Sequence, residues 1–226
     1  MHPLDRPVWN ALTTRQSSLA RGDGGALRFD PDYGLFAATA DDSTDAIAAL
    51  VALVPESGAV GLVEASAMRL PPALAVKDAI CNQMIADRIV AAEPKFAVTA
   101  LGDGDAEEMM ALASLTQPGP FFRKTHMLGD FIGVKQNGTL VAMAGERMKP
   151  AGFTEVSGVC THPGHRGNGY AGGLMRIVAE KILARGEIPF LHVYADNAGA
   201  IALYETLGFR FRAALHFTLL SRNPFP

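Results

Sequence analysis

Between Thr161 and Ala171 the chain reads T-H-P-G-H-R-G-N-G-Y-A, and these residue types suit the holding of an anion. An apolar run, Val156 to Thr161, ends at His162-Pro163-Gly164, and a basic glycine-rich turn, Arg166-Gly167-Asn168-Gly169, then feeds an amphipathic stretch that opens near Tyr170. The first amides of a helix have no partner inside it, and aligned peptide dipoles place roughly half a positive charge at that end. A phosphate put there is stabilised. Glycine at 167 and 169 lets the backbone approach a ligand more closely than any residue with a Cβ. Arg166 adds charge; its bland alternative is a solvated loop cation.

Two motifs compete for this turn. Gly167 to Gly172 satisfies G-x-G-x-x-G, the dinucleotide fingerprint of an NAD or FAD domain, with Glu187 20 positions after Gly167. That fold needs its first glycine in a tight turn off the strand, whereas five residues, His162 to Arg166, intervene here. Its acidic residue closes the second strand, whereas Glu187 precedes one. The alternative is R-x-x-G-x-A, Arg166 to Ala171, followed about thirty residues later by Asn197-Ala198-Gly199-Ala200-Ile201-Ala202-Leu203-Tyr204-Glu205-Thr206-Leu207-Gly208-Phe209. In this order, with a helix and a strand between them, the pair resembles the GNAT superfamily of acyl-CoA-dependent N-acyltransferases. The second segment is similar to that family's N-x-x-A-x-x-x-Y-x-x-x-G-F signature.

The resemblance covers about residues 96 to 220 and implies a direct transfer of an acetyl group from acetyl-CoA to a primary amine. It implies an α/β (α+β) fold: a mixed, mostly antiparallel sheet with flanking helices and a splayed central strand pair. The pantetheine arm would enter the splay and pair with the main chain of the segment Val159, Cys160 and Thr161. Amides from Arg166, Gly167, Asn168, Gly169, Tyr170 and Ala171 would hold the pyrophosphate, with Asn197 on the same side.

Amine acylation needs a neutral amine, an oxyanion stabiliser and an acid for the leaving thiolate. The family pattern puts Tyr204 beside the thioester sulfur as that acid; without it, Tyr204 reads as a half-buried core tyrosine. Glu155 is the base that the resemblance implies, Glu146 its rival, and each is otherwise a surface carboxylate. The oxyanion donor would be a backbone amide near Val159. A non-catalytic CoA-binding module stays open as a further class.

Composition narrows the partners. The 226 residues are 49% hydrophobic and 19% charged, enough apolar material for a packed core. A net charge of -3 and a pI near 6.1 argue against nucleic acid, which needs a concentrated basic face. No apolar run of membrane length appears, and M-H-P-L-D-R-P lacks a secretory pattern. Cys81 and Cys160 match no metal or redox spacing and read as reduced thiols of a cytoplasmic protein. His192 and the H-x-x-H of His162 and His165 lack a third ligand at suitable spacing, so no metal is expected. The acceptor is a small-molecule or peptide amine, and the reading leaves room for a homodimer.

Periodicity gives the secondary structure around these residues. Residues 1–94 are expected to form a smaller N-terminal α/β extension, and 95–226 the acetyltransferase domain. Within the first unit, residues 1–34 read as irregular, 35–39 as a strand, 42–54 as a helix stopped by Pro55, 59–64 as a strand and 79–89 as a helix. Within the second, 96–101 is a strand, 103–115 a helix, and 116–126 a loop whose Phe121-Phe122 could line a pocket. Two strands, 131–135 and 140–146, flank Asn137-Gly138, the pair typical of a tight hairpin. The central strand and its turn lead to a helix ended by Gly186, then come a strand at 189–195, a helix at 197–207, and strands at 209–212 and 214–220.

Overall fold

The computed structural model describes residues 2–225; Met1 and Pro226, the outer limits of the two expected units, lie outside the described residues. The first third holds α1 (Pro7–Thr13), β1 (Ala20–Gly22), β2 (Ala26–Phe29), β3 (Ala37–Thr39), α2 (Thr44–Leu53), β4 (Val60–Glu64) and β5 (Ala75–Ile85). Residues before 35 are therefore not irregular. Pro7 supplies the fixed φ of a first helical turn, and Val8, Ala11 and Leu12, at i, i+3 and i+4, are buried on one side of α1. The start of α2 follows expectation: the Ser43 hydroxyl accepts from the Ala46 amide at 3.2 Å.

A second correction concerns residues 79–89, expected as a helix. Residues 79–85 belong to β5, an eleven-residue strand paired with a neighbour on each side. The apolar positions 80, 84 and 85 suit a helix face, but they also occur in a strand, here with Met84 and Ile85 buried and Ile80 exposed, and short apolar runs do not separate the two. Pairing partners more than a hundred residues away decided it.

The remainder follows the expected rhythm: β6 (Thr99–Leu101), α3 (Ala106–Thr116), β7 (Phe131–Gln136), β8 (Thr139–Glu146), β9 (Phe153–Thr161), α4 (Tyr170–Ala184), β10 (Ile188–Tyr194), α5 (Ala198–Leu207) and β11 (Arg210–Ser221). Asn137 and Gly138 both take left-handed φ, 51° and 84°, as the β7–β8 turn requires. The strand expected from Phe96 pairs only from Thr99. Phe96 instead packs edge-on against Tyr170 at 5.0 Å and fills the space over Gly173, where a Cβ would come within 2.5 Å of its ring. The last two expected strands are one, β11, broken only by a bulge between Phe211 and Ala213.

Eight strands form one sheet in the order β4-β11-β5-β10-β9-β8-β7-β6, and β1-β2-β3 form a small second sheet. The large sheet is antiparallel except at β9 and β10. Helices α4 and α5 cover one face, where Leu174, Met175, Val178 and Ile182 pack on Met84, Leu191 and Phe209. The other face carries α1 and the small sheet, through Leu4, Val8 and Phe36 against Phe190, Leu215 and Phe217, and α3 farther along, on Phe131, Met143 and Cys160. Residues on both sides of position 94 share this sheet, for β5 lies between β10 and β11.

Candidate active site

The parallel strands β9 and β10 are paired only at their beginnings. Ladder partners run Phe153 with Ile188, Thr154 with Pro189 and Glu155 with Phe190, and then stop, although β9 continues to Thr161 and β10 to Tyr194. Beyond this vertex β9 keeps its antiparallel partner β8, but the register shifts by one residue, so that Gly158 and Val159 together face Ala144. Gly158 makes the bulge with φ +63°, and a Cβ there would stand 2.9 Å from the Phe131 ring.

The alternation of an antiparallel ladder tells which main-chain groups are free. The His162 amide donates to the Val141 carbonyl at 2.8 Å, so the main chains of His162 and Cys160 face β8. Thr161 then turns its amide and carbonyl to the gap, as do the residues of the bulge. Val159 and Thr161 thus sit where a strand-like ligand could pair, whereas the Cys160 main chain is spent on β8. The buried Thr161 hydroxyl has no hydrogen-bond partner among the described residues.

At the same end of β9 the chain makes a short 3-10 turn, Pro163–His165, and enters α4 through Gly169. The cap residue has φ +75° and gives no side-chain cap. The first intrahelical bond is Gly173 amide to Gly169 carbonyl, 3.0 Å, which leaves the amides of Tyr170 to Gly172 without helical partners. Asn168 ties the turn by donating to the His165 carbonyl at 2.9 Å. Arg166, Gly167, Asn168 and Gly169 are exposed, whereas Tyr170 and Ala171, at the head of the helix, are half-buried. The Tyr170 hydroxyl accepts from Gln136 at 3.1 Å. An orphaned hydroxyl, free amides and two left-handed glycines fit the phosphate and pantetheine groups of a coenzyme A thioester.

Tyr204 lies on α5, half-buried against the core under α4. Burial raises its pKa, so the phenol stays protonated. Asn197 caps α5, its Oδ1 accepting from the Ala200 amide at 3.1 Å, so that oxygen is already engaged. Cys81 and Cys160 are buried free thiols, each pushed up to about 11 by burial, so neither offers a thiolate near neutral pH.

Glu155 needs correction as a base. It is fully buried, and both carboxylate oxygens accept from Arg147, at 2.8 Å each. His192 Nδ1 adds a contact of 2.8 Å, and the Met148 amide another at 3.3 Å. Burial alone would raise its pKa; the Arg147 charge and the hydrogen bonds from Arg147 and His192 outweigh that and hold the carboxyl well below the ordinary range. Such a group has little basicity and no free face. Glu146 is equally tied, to Arg185 at 2.6 Å and Lys149 at 2.9 Å. Sequence reading missed Arg147 and Gln83, since nothing local marks them.

Comparison with known proteins agrees with this geometry. A family described as FR47-like protein matches residues 131–217. The N-alpha-acetyltransferase RimI of Mycobacterium tuberculosis is 34% identical over 84 residues, a match that takes in 35% of this chain and spans about half, 51%, of that protein. A crystal structure of a GNAT-family protein from Novosphingobium aromaticivorans superposes with a TM-score of 0.92 and 47% identity, over 99% of this chain and 100% of that one. A GCN5-related N-acetyltransferase from Kribbella flavida shares the fold at a TM-score of 0.62 and 18% identity, covering 96% of each chain. Identity of this order along an entire GNAT-family structure, together with the parted strands and the uncapped helix beside them, means that the chain belongs to the GNAT family of acetyltransferases.

Proposed function

We propose that the chain transfers an acetyl group from acetyl-CoA to a primary amine, both bound at once, at the gap between β9 and β10. The observation that carries this reading is the end of ladder pairing at Glu155 and Phe190, with free main chain on the β9 side and unpartnered amides at the head of α4. Acetyl-CoA supplies the reactive thioester. Val159 and Thr161 hold its pantetheine arm through main-chain hydrogen bonds, and the turn from Arg166 to Ala171 holds the diphosphate. A bulge amide at Gly158 or Val159 faces the charge that develops on the carbonyl oxygen. Tyr204 gives its proton to the departing sulfur, while the ammonium proton leaves to water. With both cysteines protonated, transfer runs directly rather than through an acyl-enzyme.

The RimI likeness makes the α-amine of a peptide one acceptor worth assaying beside small amines. Free cysteines suit a reducing compartment, and the cytoplasm is our placement. Residues 95–226 carry the catalytic elements on this reading, and the segment before them supplies β4 and β5, which complete the sheet beside β10. The test is free-thiol release from acetyl-CoA with a panel of amines, for wild type and Tyr204→Phe. We expect the variant to lose about 10²-fold in kcat, the scale of general-acid assistance. Unchanged turnover would take Tyr204 out of the mechanism, and thermal protection by NAD or FAD instead of CoA would overturn the assignment.

A further inference from the structure

The vertex of the gap is held by side chains as well as by main chain. Glu155 and Phe190 are the last ladder pair of β9 and β10. His192, two residues farther along β10, reaches back across the opening to Glu155 with Nδ1 2.8 Å from Oε1. Its other nitrogen, Nε2, lies 3.0 Å from Nε2 of Gln83, the residue directly opposite on β5. The orientation of the Gln83 amide is fixed on two further sides. Its nitrogen donates to the Leu4 carbonyl at 3.0 Å, and its oxygen accepts from Arg212 at 2.7 Å.

The second amide hydrogen of Gln83 therefore points at His192, whose Nε2 must accept it. That leaves the histidine proton on Nδ1, donating to Glu155. Arg212 reaches Gln83 because it is the extra residue in the β11 bulge between Phe211 and Ala213, and it also pairs with Asp5. The fully buried Gln83 thus joins the turn Pro3–Asp5 and β11 to the vertex.

We infer that Gln83, Arg212 and the turn Pro3–Asp5 are positioning residues for acyl transfer, locking His192 so that its Nδ1–H straps β10 to Glu155 and sets the width of the gap. None of the three touches the reacting atoms. The inference rests on the acyl-transfer reading, so one arm of its test is independent of turnover. Nitrogen-15 NMR of the imidazoles in the full chain at neutral pH should show His192 as the Nδ1–H tautomer. Gln83→Met removes the donor to Nε2; Nδ1 keeps its proton on the acceptor-only Glu155, and the Nε2 signal should move to that of an imidazole nitrogen without a hydrogen bond. Gln83→Glu keeps an acceptor for Arg212 but presents oxygen to Nε2, so His192 should appear protonated on both nitrogens.

In the thiol-release assay Gln83→Met should lower kcat about 10- to 100-fold, as displacements of order 1 Å do, while KM for acetyl-CoA stays within about twofold. A wild-type His192 protonated on Nε2, or Gln83→Met with an unaltered Nε2 signal and unaltered kcat, would overturn the strap. The wild-type spectrum decides this even if the variant fails to fold. A locked tautomer in a chain that turns over no amine would sink the acyl-transfer reading and leave the strap standing.

Discussion

Taking away Arg147 would leave Glu155 buried with only the histidine and one amide for partners. Removing one member of a buried pair strands a charge, and Arg147→Met should cost about 3–5 kcal/mol, read from the urea midpoint. Arg147→Met with Glu155→Leu should recover part of it, because no orphan charge remains. The pH dependence has a definite sign. The folded carboxyl titrates below its ordinary 4.5, so its contribution is complete above that value and is lost as pH falls beneath it, by at most ~1.4 kcal/mol per unit. In Arg147→Met burial dominates and the loss should move toward neutral pH, which unfolding curves between about pH 3 and pH 7 would detect. The helix that carries Tyr204 and the turn from Arg166 into α4 were legible because their motifs are local. The ties of Glu155 were not, since His192 lies 37 positions away and Gln83 a further 109 from that histidine.

The elements divide in the same way. Caps and turns were readable: Asn137-Gly138 makes its hairpin, Gly186 and Gly208 close their helices with positive φ, and Ser43 and Asn197 open theirs. Each works within a few residues. The identity of β5 was not readable, because its apolar spacing fits two structures and only the flanking strands choose between them. Nor was the Gly158 bulge, which needs β8 as its ruler. Gly169 offers a clean test at this scale, since its φ is +75° and a Cβ added there would meet nothing within 4 Å. Gly169→Val should therefore act through backbone strain alone, costing about 1–2 kcal/mol and weakening protection by CoA in thermal denaturation, whereas Gly169→Asn should retain most of both.

For the molecule as a whole, the expectation of an extension ending at 94 meets a sheet that runs across that position. Without β4 and β5, β11 loses both ladder partners and β10 keeps only its short pairing with β9. Residues 95–226 expressed alone should then fail to give a cooperative thermal transition or a dispersed amide spectrum, and a folded fragment would restore the two-unit description. What the chain's letters determined unaided was short-range structure: a glycine-rich turn entering a helix, helix ends, a hairpin, and the family resemblance those motifs carry. These depend on steric and hydrogen-bonding preferences of neighbours in sequence. Tertiary structure alone decided that a stretch of helical spacing becomes a central strand, that Glu155 is a locked ion rather than a base, and that the turn at Pro3–Asp5 reaches the vertex of the gap. Such outcomes come from pairing between segments far apart in the chain, where burial and strand register outweigh any local preference.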